Sequence, residues 1–376
     1  MNANLKRLVA IGALTSITEI YSSIFFTARM YELARNSIQT ISNYYIVEYF
    51  CIMLTFLLLG SKIKAYPLKA LRIGIMLNLI LLCIIMLLDD NVMQYYILFA
   101  AVQGIAMGAY YSPFAVLIGI YNDNAIRYCT LSSIFNNIVS IVFPVTIGFY
   151  IKTTSFISMT SCIIVVSVIQ VVLSMRIENV VMKEAKCDVR HFMKSLKRAN
   201  SAKKVLNYYK ISFFSGIVSS VLDRTVLLLI MIVFGSSVQL GILNTVFAVF
   251  TICTTWTIKK YYNGKKSKVI IAVSVLFVNT NTNTVIFYKV INSVFICILS
   301  MMTNIERYAC LGKELNKQFT AEHQIMAEIT LGLGRVFGLS VLLIMNTLIG
   351  GLYAIMIMLI FISFSIIAYA WLIAKQ

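Results

Sequence analysis

Residues 216–235 read GIVSSVLDRTVLLLIMIVFG. Asp223 and Arg224 apart, the stretch is apolar or small. As a helix rising about 1.5 Å per residue it covers about 30 Å, the thickness of a bilayer core. Runs of this kind recur along the whole chain, so their reading decides the fold. Sixty per cent of the 376 residues are hydrophobic, 12% are charged and the mean hydropathy is +0.87. The composition excludes a string of soluble domains and implies an all-α polytopic membrane protein. A transmembrane barrel would show short alternating segments instead.

Spans are expected at 8–28, 40–60, 70–88, 93–120, 128–150, 154–175, 210–233, 238–258, 268–281, 284–303, 325–346 and 350–373. The ninth stops after a short apolar run at the tract NTNTNT, read as an outer turn or as polar helix facing a cavity. Six spans precede the longest polar segment and six follow it. The expected organisation is an N-terminal six-helix bundle (1–175), a basic cytoplasmic linker (176–209) and a C-terminal six-helix bundle (210–376). The linker reads as a solvated connection that can lie as helix against anionic headgroups, with a regulatory or partner-binding role as the alternative. A six-plus-six hydropathy pattern is the mark of pseudo-symmetric transporters.

The net charge of +18 is one-sided in its placement. With the N-terminus inside, 26 of the 32 Lys and Arg residues fall in cytoplasmic segments and three (Arg29, Arg35, Lys152) in outer loops. Arg224, Lys289 and Arg335 lie within spans. This is the positive-inside bias; it accounts for the basicity without a nucleic-acid partner and puts both termini in the cytoplasm. The first apolar run is too long for a signal-peptide core and lacks a small-residue cleavage site, so it reads as a retained helix. The eight cysteines are scattered with no CxxC pair, which implies free thiols. Both histidines, His191 and His323, fall in expected cytoplasmic loops, which argues against a buried histidine metal site or proton relay. No HExxH, GxSxG or phosphate-binding loop is present, so the chain does not read as an enzyme, and no cofactor is implied.

Polar residues recur at helical spacing on three spans. Gly12, Ser16, Glu19 and Ser23 form one stripe, Ser133, Asn136, Ser140, Pro144 and Gly148 a second, and Ser212, Ser215, Ser219 and Asp223 a third. Each set shares a helix face. Small and hydroxyl residues serve close packing, but Glu19, Asn136, Asn137 and Asp223 look more like walls of a wet cavity. At about 1.5 Å per residue Glu19, Asp223 and Arg335 lie about 18–20 Å into the membrane, where a lipid-facing charge costs about 2.5–3.5 kcal/mol or more. Asp223 and Arg224 point about 100° apart, so each needs a partner on another helix. A static ion-pair network is the alternative for all of these, and more so for Glu48 and Lys289 near span ends.

With these features the chain resembles the major facilitator superfamily over its whole length. GSKIKAYPLKALR, between the second and third spans, keeps Gly60, Lys69 and Arg72 of that superfamily's loop motif, with Lys64 at the acidic position and Pro67 at the second glycine. YYNGKKSK in the second half keeps Gly264, Lys265 and Lys266. VQGIAMGAYYSP is similar to the fourth-span Arg-x-x-Gln-Gly segment through Gln103 and Gly104, with Ala100 at the arginine position. Pro144 and Gly148 resemble part of the antiporter motif, and AEITLGLGRVFGLSVLL is similar to a little-characterised bacterial branch.

The resemblance implies about 12 transmembrane helices in two pseudo-symmetric bundles and a secondary transporter working by alternating access on a small-molecule substrate. It implies a monomer in the lipid bilayer of the cell membrane. The Pro144–Gly148 fragment points toward efflux, so an antiporter is expected, with an importer or a non-transporting sensor, immunity or assembly factor as alternatives. Glu19 is the leading candidate for a proton carrier or a contact to cationic substrate, and Asp223 the second. Arg224 and Arg335 would hold acidic groups in one state and release them in the other. Gln103, Tyr110, Tyr111, Asn136 and Asn137 would line the cavity, and Gly60, Pro144, Gly148, Gly264 and Gly338 would serve gating or packing.

Overall fold

The computed structural model describes residues 3–121, 125–178, 188–198, 202–234, 237–261 and 320–374. Among these every regular element is helical. Helix α1 (Ala3–Ile20) runs through a π-helical turn, Tyr21–Phe26, into α2 (Thr27–Leu33) as one span of 31 residues. There follow α3 (Ile38–Ala65), α4 (Pro67–Leu88), a 3₁₀ turn (Asp89–Tyr95), α5 (Tyr96–Tyr121), α6 (Ala125–Thr153) and α7 (Phe156–Met175). A short helix α8 (Val189–Arg198) precedes α9 (Ala202–Ser215), which passes through a second π-helical turn, Gly216–Val221, into α10 (Leu222–Phe234). Helices α11 (Ser237–Tyr261), α12 (Thr320–Ile349) and α13 (Gly351–Ala374) complete the described chain.

Eight stretches among the described residues are long and apolar enough to cross a membrane. One of them, Pro67–Ile118, has 52 residues. At 1.5 Å per residue it would measure about 78 Å, far more than a bilayer core. It holds both α4 and α5 and accounts for two crossings. A shorter apolar helix, Val238–Phe250, lies within α11. Ten of the twelve expected spans thus coincide with helices. The ninth and tenth fall in 262–319, outside the described residues, together with Gly264, Lys289 and the NTNTNT tract.

The helix ends follow from local chemistry. Ser37 and Ser155 are N-caps, their hydroxyls accepting the Thr40 and Ser158 N–H groups. Pro67 occupies the first turn of α4, where its missing N–H is not needed. Between α12 and α13 the chain reverses at Gly350, with φ +85°, a left-handed position that glycine takes without strain. Arg72 closes the end of α7, donating to the carbonyls of Ser174 at 3.0 Å and Ile177 at 3.2 Å. A cation there also meets the negative end of the helix dipole. The arginine kept from the loop motif is therefore a helix cap.

The chain divides into two units, residues 1–187 with 236–245 and residues 188–235 with 246–376. In the first, α3 and α4 both pack on α5, and α1 packs on α6 and α7. The backbones approach closely where side chains vanish. A side chain added at Gly104 would meet the Glu48 carbonyl, and one at Gly74 would come within 2.8 Å of the Ala106 carbonyl. The start of α11 joins this unit by the same device, Gly241 lying against the Pro144 carbonyl. Leu5, Leu8, Ile11, Leu68, Leu71, Ile75 and Leu117 form a core near the N-terminal end of α1. In the second unit α9 and its π turn pack on α12 and α13. Gly216 and Gly334 face one another's helices at the Leu331 and Phe213 carbonyls, and Gly338 faces Val221.

Candidate functional site

Both units place an acidic residue beside a π-helical turn in their first long span. In the first unit Glu19 stands two residues before Tyr21–Phe26, and in the second Asp223 stands two residues after Gly216–Val221. A π turn holds one more residue than an α turn, and such turns are frequent at functional sites. Its backbone geometry needs support, and the sequence supplies hydroxyls. Thr27 donates to the Ser22 carbonyl at 3.1 Å and Ser22 to the Glu19 carbonyl at 3.2 Å.

Around Glu19 three helices converge. Tyr111 of α5 donates a hydrogen bond to Glu19 Oε1. One turn earlier Ser16 donates to Asn136 Oδ1 of α6 at 3.1 Å. Glu19 and Ser16 are half-buried, while Tyr111 and Asn136 are exposed. A buried layer supports this surface. The hydroxyls of Thr15 and Tyr110 lie 2.8 Å apart, and Gln170 of α7 donates to Thr15 at 3.1 Å. The Tyr110 ring packs edge-on against Tyr111 at 5.4 Å and stacks on Phe114 at 5.2 Å. Gly12 gives room to the Phe114 ring. Tyr111 is thus held from behind while its hydroxyl reaches the acid.

The expected residues separate into groups. Glu19, Tyr111 and Asn136 share one polar surface, with Asn137 half-buried beside Asn136 on α6. Tyr110 is buried in the supporting layer. Gln103 is 4% exposed and lines a different, small cleft with Thr18, Ser22, Tyr44 and Asn78. Pro144 and Gly148 are buried on α6, and Gly60 is buried on α3. Asp223, Arg224, Arg335 and Gly338 belong to the second unit. There Asp223 is exposed, while Arg224 and Arg335 are half-buried. The Arg335 backbone lies against Gly216 at the start of the second π turn.

Two expectations are corrected. The stripe from Ser212 to Asp223 is not one continuous face, because the π turn inserts a residue and shifts the register by about 100°. Ser212 is buried and Ser215 hydrogen-bonds Tyr369, whereas Asp223 is exposed. The same shift moves Ser23 off the face of Gly12, Ser16 and Glu19. His323, expected in a loop, is 0% exposed. Helix α12 begins earlier than the apolar run that announced it, and its first turn carries His323 between Tyr208 and Tyr209. Tyr209 Oη and His323 Nδ1 are 2.9 Å apart.

Three solved structures that the chain resembles are transporters, matched over nearly their whole length. Nucleoside transporter NupG is 12% identical, with 100% of this chain and 99% of that chain covered and a TM-score of 0.66. A POT family transporter in complex with a thioalcohol-conjugated peptide is 12% identical, covering 99% and 95%, at 0.69. A D-xylose–proton symporter is 11% identical, covering 96% of each chain, at 0.67. The chain shares the fold of these three transporters. No family model matches the chain, and no characterised protein matches it in sequence.

Within this fold the site stands out by residue type. Thr15 and Gln170 were missed in the sequence because each is one ordinary polar residue in an apolar run. Of the two, only Gln170, a long amide in the apolar run of α7, carried a signal. Gly104 and Gly108 form a small-xxx-small pair, as do Gly334 and Gly338, and their contacts with α3 and with α9–α10 are where that pattern is used.

Proposed function

We propose that the chain is a secondary active transporter of the major facilitator superfamily that exports a small molecule by alternating access. The observation that carries this is the Glu19–Tyr111 pair. An acid at mid-span, held by a tyrosine and bordered by Ser16 and Asn136, makes a polar surface where the fold offers lipid-compatible residues on most other sides. Polar and ionisable groups at that depth line water or bind solute. Glu19 takes and gives a proton or meets a cationic group of the substrate, while Tyr111 and Asn136 supply hydrogen bonds. Asp223 with Arg224 and Arg335 forms the corresponding polar element of the second unit. The structural neighbours, a nucleoside transporter, a POT family transporter in complex with a conjugated peptide and a D-xylose–proton symporter, support the class of activity.

The charge bias supports placement in the cell membrane with both termini in the cytoplasm. Pro144 and Gly148 favour efflux, and the likeness to a proton symporter favours uptake as the second reading. Purified protein in liposomes with an internal pH dye tests the reading. Amines, nucleosides, sugars and peptides are offered in turn under an imposed proton gradient. Substrate-dependent proton movement that Glu19→Gln abolishes is the expected result. Solute movement with wild-type pH dependence in Glu19→Gln removes the acid from the mechanism.

A further inference from the structure

Helix α8, VRHFMKSLKR, is too polar and too short to span a bilayer, yet its two sides differ sharply. Phe192 and Leu196, one turn apart, are buried against Val205, Tyr208 and Tyr209 of α9 and Ala327 of α12. Asp188 caps the helix, its carboxylate accepting the His191 N–H at 2.8 Å. The apolar face is therefore already satisfied by the protein itself. The rest is basic: His191 and Lys194 are exposed, and Arg190, Lys197 and Arg198 share the ten-residue helix. Lys203 and Lys204 follow just before α9 enters its apolar run. No acidic residue occurs in the sequence between Val189 and Leu222. Glu322, on the first turn of α12, is buried and not on the exposed face.

Its level relative to the membrane comes from what it touches. The apolar stretches that cross begin at Val205 and Ile325, and α8 packs on Val205 and Ala327, within the first turn of each. A helix docked there sits at headgroup depth, with lysine and arginine stems long enough to reach phosphates beside it. We propose that α8 is a docking surface for anionic lipid. Its basic residues bind phosphate-bearing headgroups of the leaflet at which these two spans begin, and so fix the connection that enters the second unit. The inference does not depend on what, if anything, the protein transports.

Hydrogen–deuterium exchange of the full chain in lipid nanodiscs tests it, comparing discs of phosphatidylcholine alone with discs in which about a quarter of the lipid is phosphatidylglycerol. Amides of 192–198 should exchange about fivefold more slowly in the anionic discs, the effect of one basic residue at a charged surface. The protection should vanish near 0.5 M salt, where screening reaches within about 4 Å, and in a Lys194→Glu, Lys197→Glu, Arg198→Glu variant whose melting temperature is retained. Equal exchange in the two discs overturns the proposal. So does protection that survives the triple substitution, which puts the lipid contact elsewhere. Protection produced by inorganic phosphate in the phosphatidylcholine discs assigns the face to free anions and overturns the lipid source. If the triple variant loses its fold, Lys194→Gln with Lys197→Gln, which removes charge without reversing it, must reduce the protection or the proposal fails.

Discussion

A graded alanine series tests the glycine contacts between the first long helix of the second unit and α12. A new methyl at Gly334 would run into the Phe213 carbonyl and lie 2.9 Å from its carbon. Backbone cannot step aside as a side chain can, so the cost falls at the upper end of overpacking, about 3 kcal/mol. Glycine to alanine inside a helix returns about 1 kcal/mol of propensity, leaving a net loss of about 2 kcal/mol. At Gly338 the methyl would sit 2.8 Å from Val221 Cγ2. A β-branched side chain turns reluctantly, and the net loss is about 1 kcal/mol. At Gly12 in the first unit it meets only the far edge of the Phe114 ring, at 3.1 Å. The ring can swing, and the change should be neutral or slightly stabilising.

With about 2–4 °C per kcal/mol for units of this size, Gly334→Ala should melt about 4–8 °C below wild type and Gly338→Ala about 2–4 °C below. Gly216→Ala, which approaches the Leu331 carbonyl from the facing helix, should match Gly334→Ala. Gly338→Leu has a whole side chain to place and should fall further than Gly338→Ala. Thermal unfolding of purified protein in detergent, followed by intrinsic fluorescence, reads the series. A Gly334→Ala protein as stable as wild type, or a Gly12→Ala protein less stable than Gly334→Ala, refutes the packing argument.

Asp223→Asn keeps shape and hydrogen bonding while removing the charge. If the acid works in the cycle, the fold survives and transport or its pH dependence changes. If it only neutralises a half-buried cation at this exposed position, transport is unchanged and stability falls by about 1 kcal/mol or less, which the same melting assay reads. A single cysteine at Ser195, in a chain with the native cysteines removed, should resist membrane-impermeant reagents in intact cells; ready labelling from outside refutes the topology. Deletion of Ser23 should turn the first π turn into ordinary α-helix and keep the register on both sides, because the turn already absorbs one extra residue. Deletion of Ala13, in regular helix, rotates everything beyond it by about 100° and should abolish folded expression; equal outcomes for the two deletions refute the role given to the turn.

The fold was legible because a bilayer imposes its own period on sequence. Apolar runs of span length mark ten of the helices with no tertiary information. Residue type also singled out Glu19, Tyr111 and Asn136, since an acid or amide at mid-span is costly unless it has work or a partner. Their grouping was not legible. Tyr111 lies 92 positions from Glu19 and Asn136 lies 120 from Ser16, and no local pattern encodes such pairings. Gln103 shows the converse. It stands seven residues before Tyr110 on the same helix, yet lines a separate cleft. His323 was placed in a loop because hydropathy marks where apolar character begins, not where hydrogen bonding of the helix begins. α12 starts at Thr320 with a polar first turn whose histidine is covered by Tyr208 and Tyr209.

The π turns are the feature that hydropathy is least able to show, since one inserted residue changes neither the length nor the composition of a span. Their effect on which face a residue takes is nonetheless direct. In an unbroken helix Ser212, Ser215 and Asp223 would share a face, and the acid would point where the serines point. With the turn, Ser212 is buried and Ser215 is bonded to Tyr369, while Asp223 emerges on an exposed side. One span can thus pack against its own unit with small residues and present a charge elsewhere. In the first unit Gly12 packs against Phe114 before the turn, Glu19 meets Tyr111 at its edge, and Tyr21, the first residue within it, is fully buried with its hydroxyl 2.6 Å from Thr160. The wide turn is held by hydroxyl groups as well as backbone bonds. The bond between Glu19 and Tyr111 lies within one turn of that segment. The acid, its tyrosine and the π turn thus occupy one short stretch of the span.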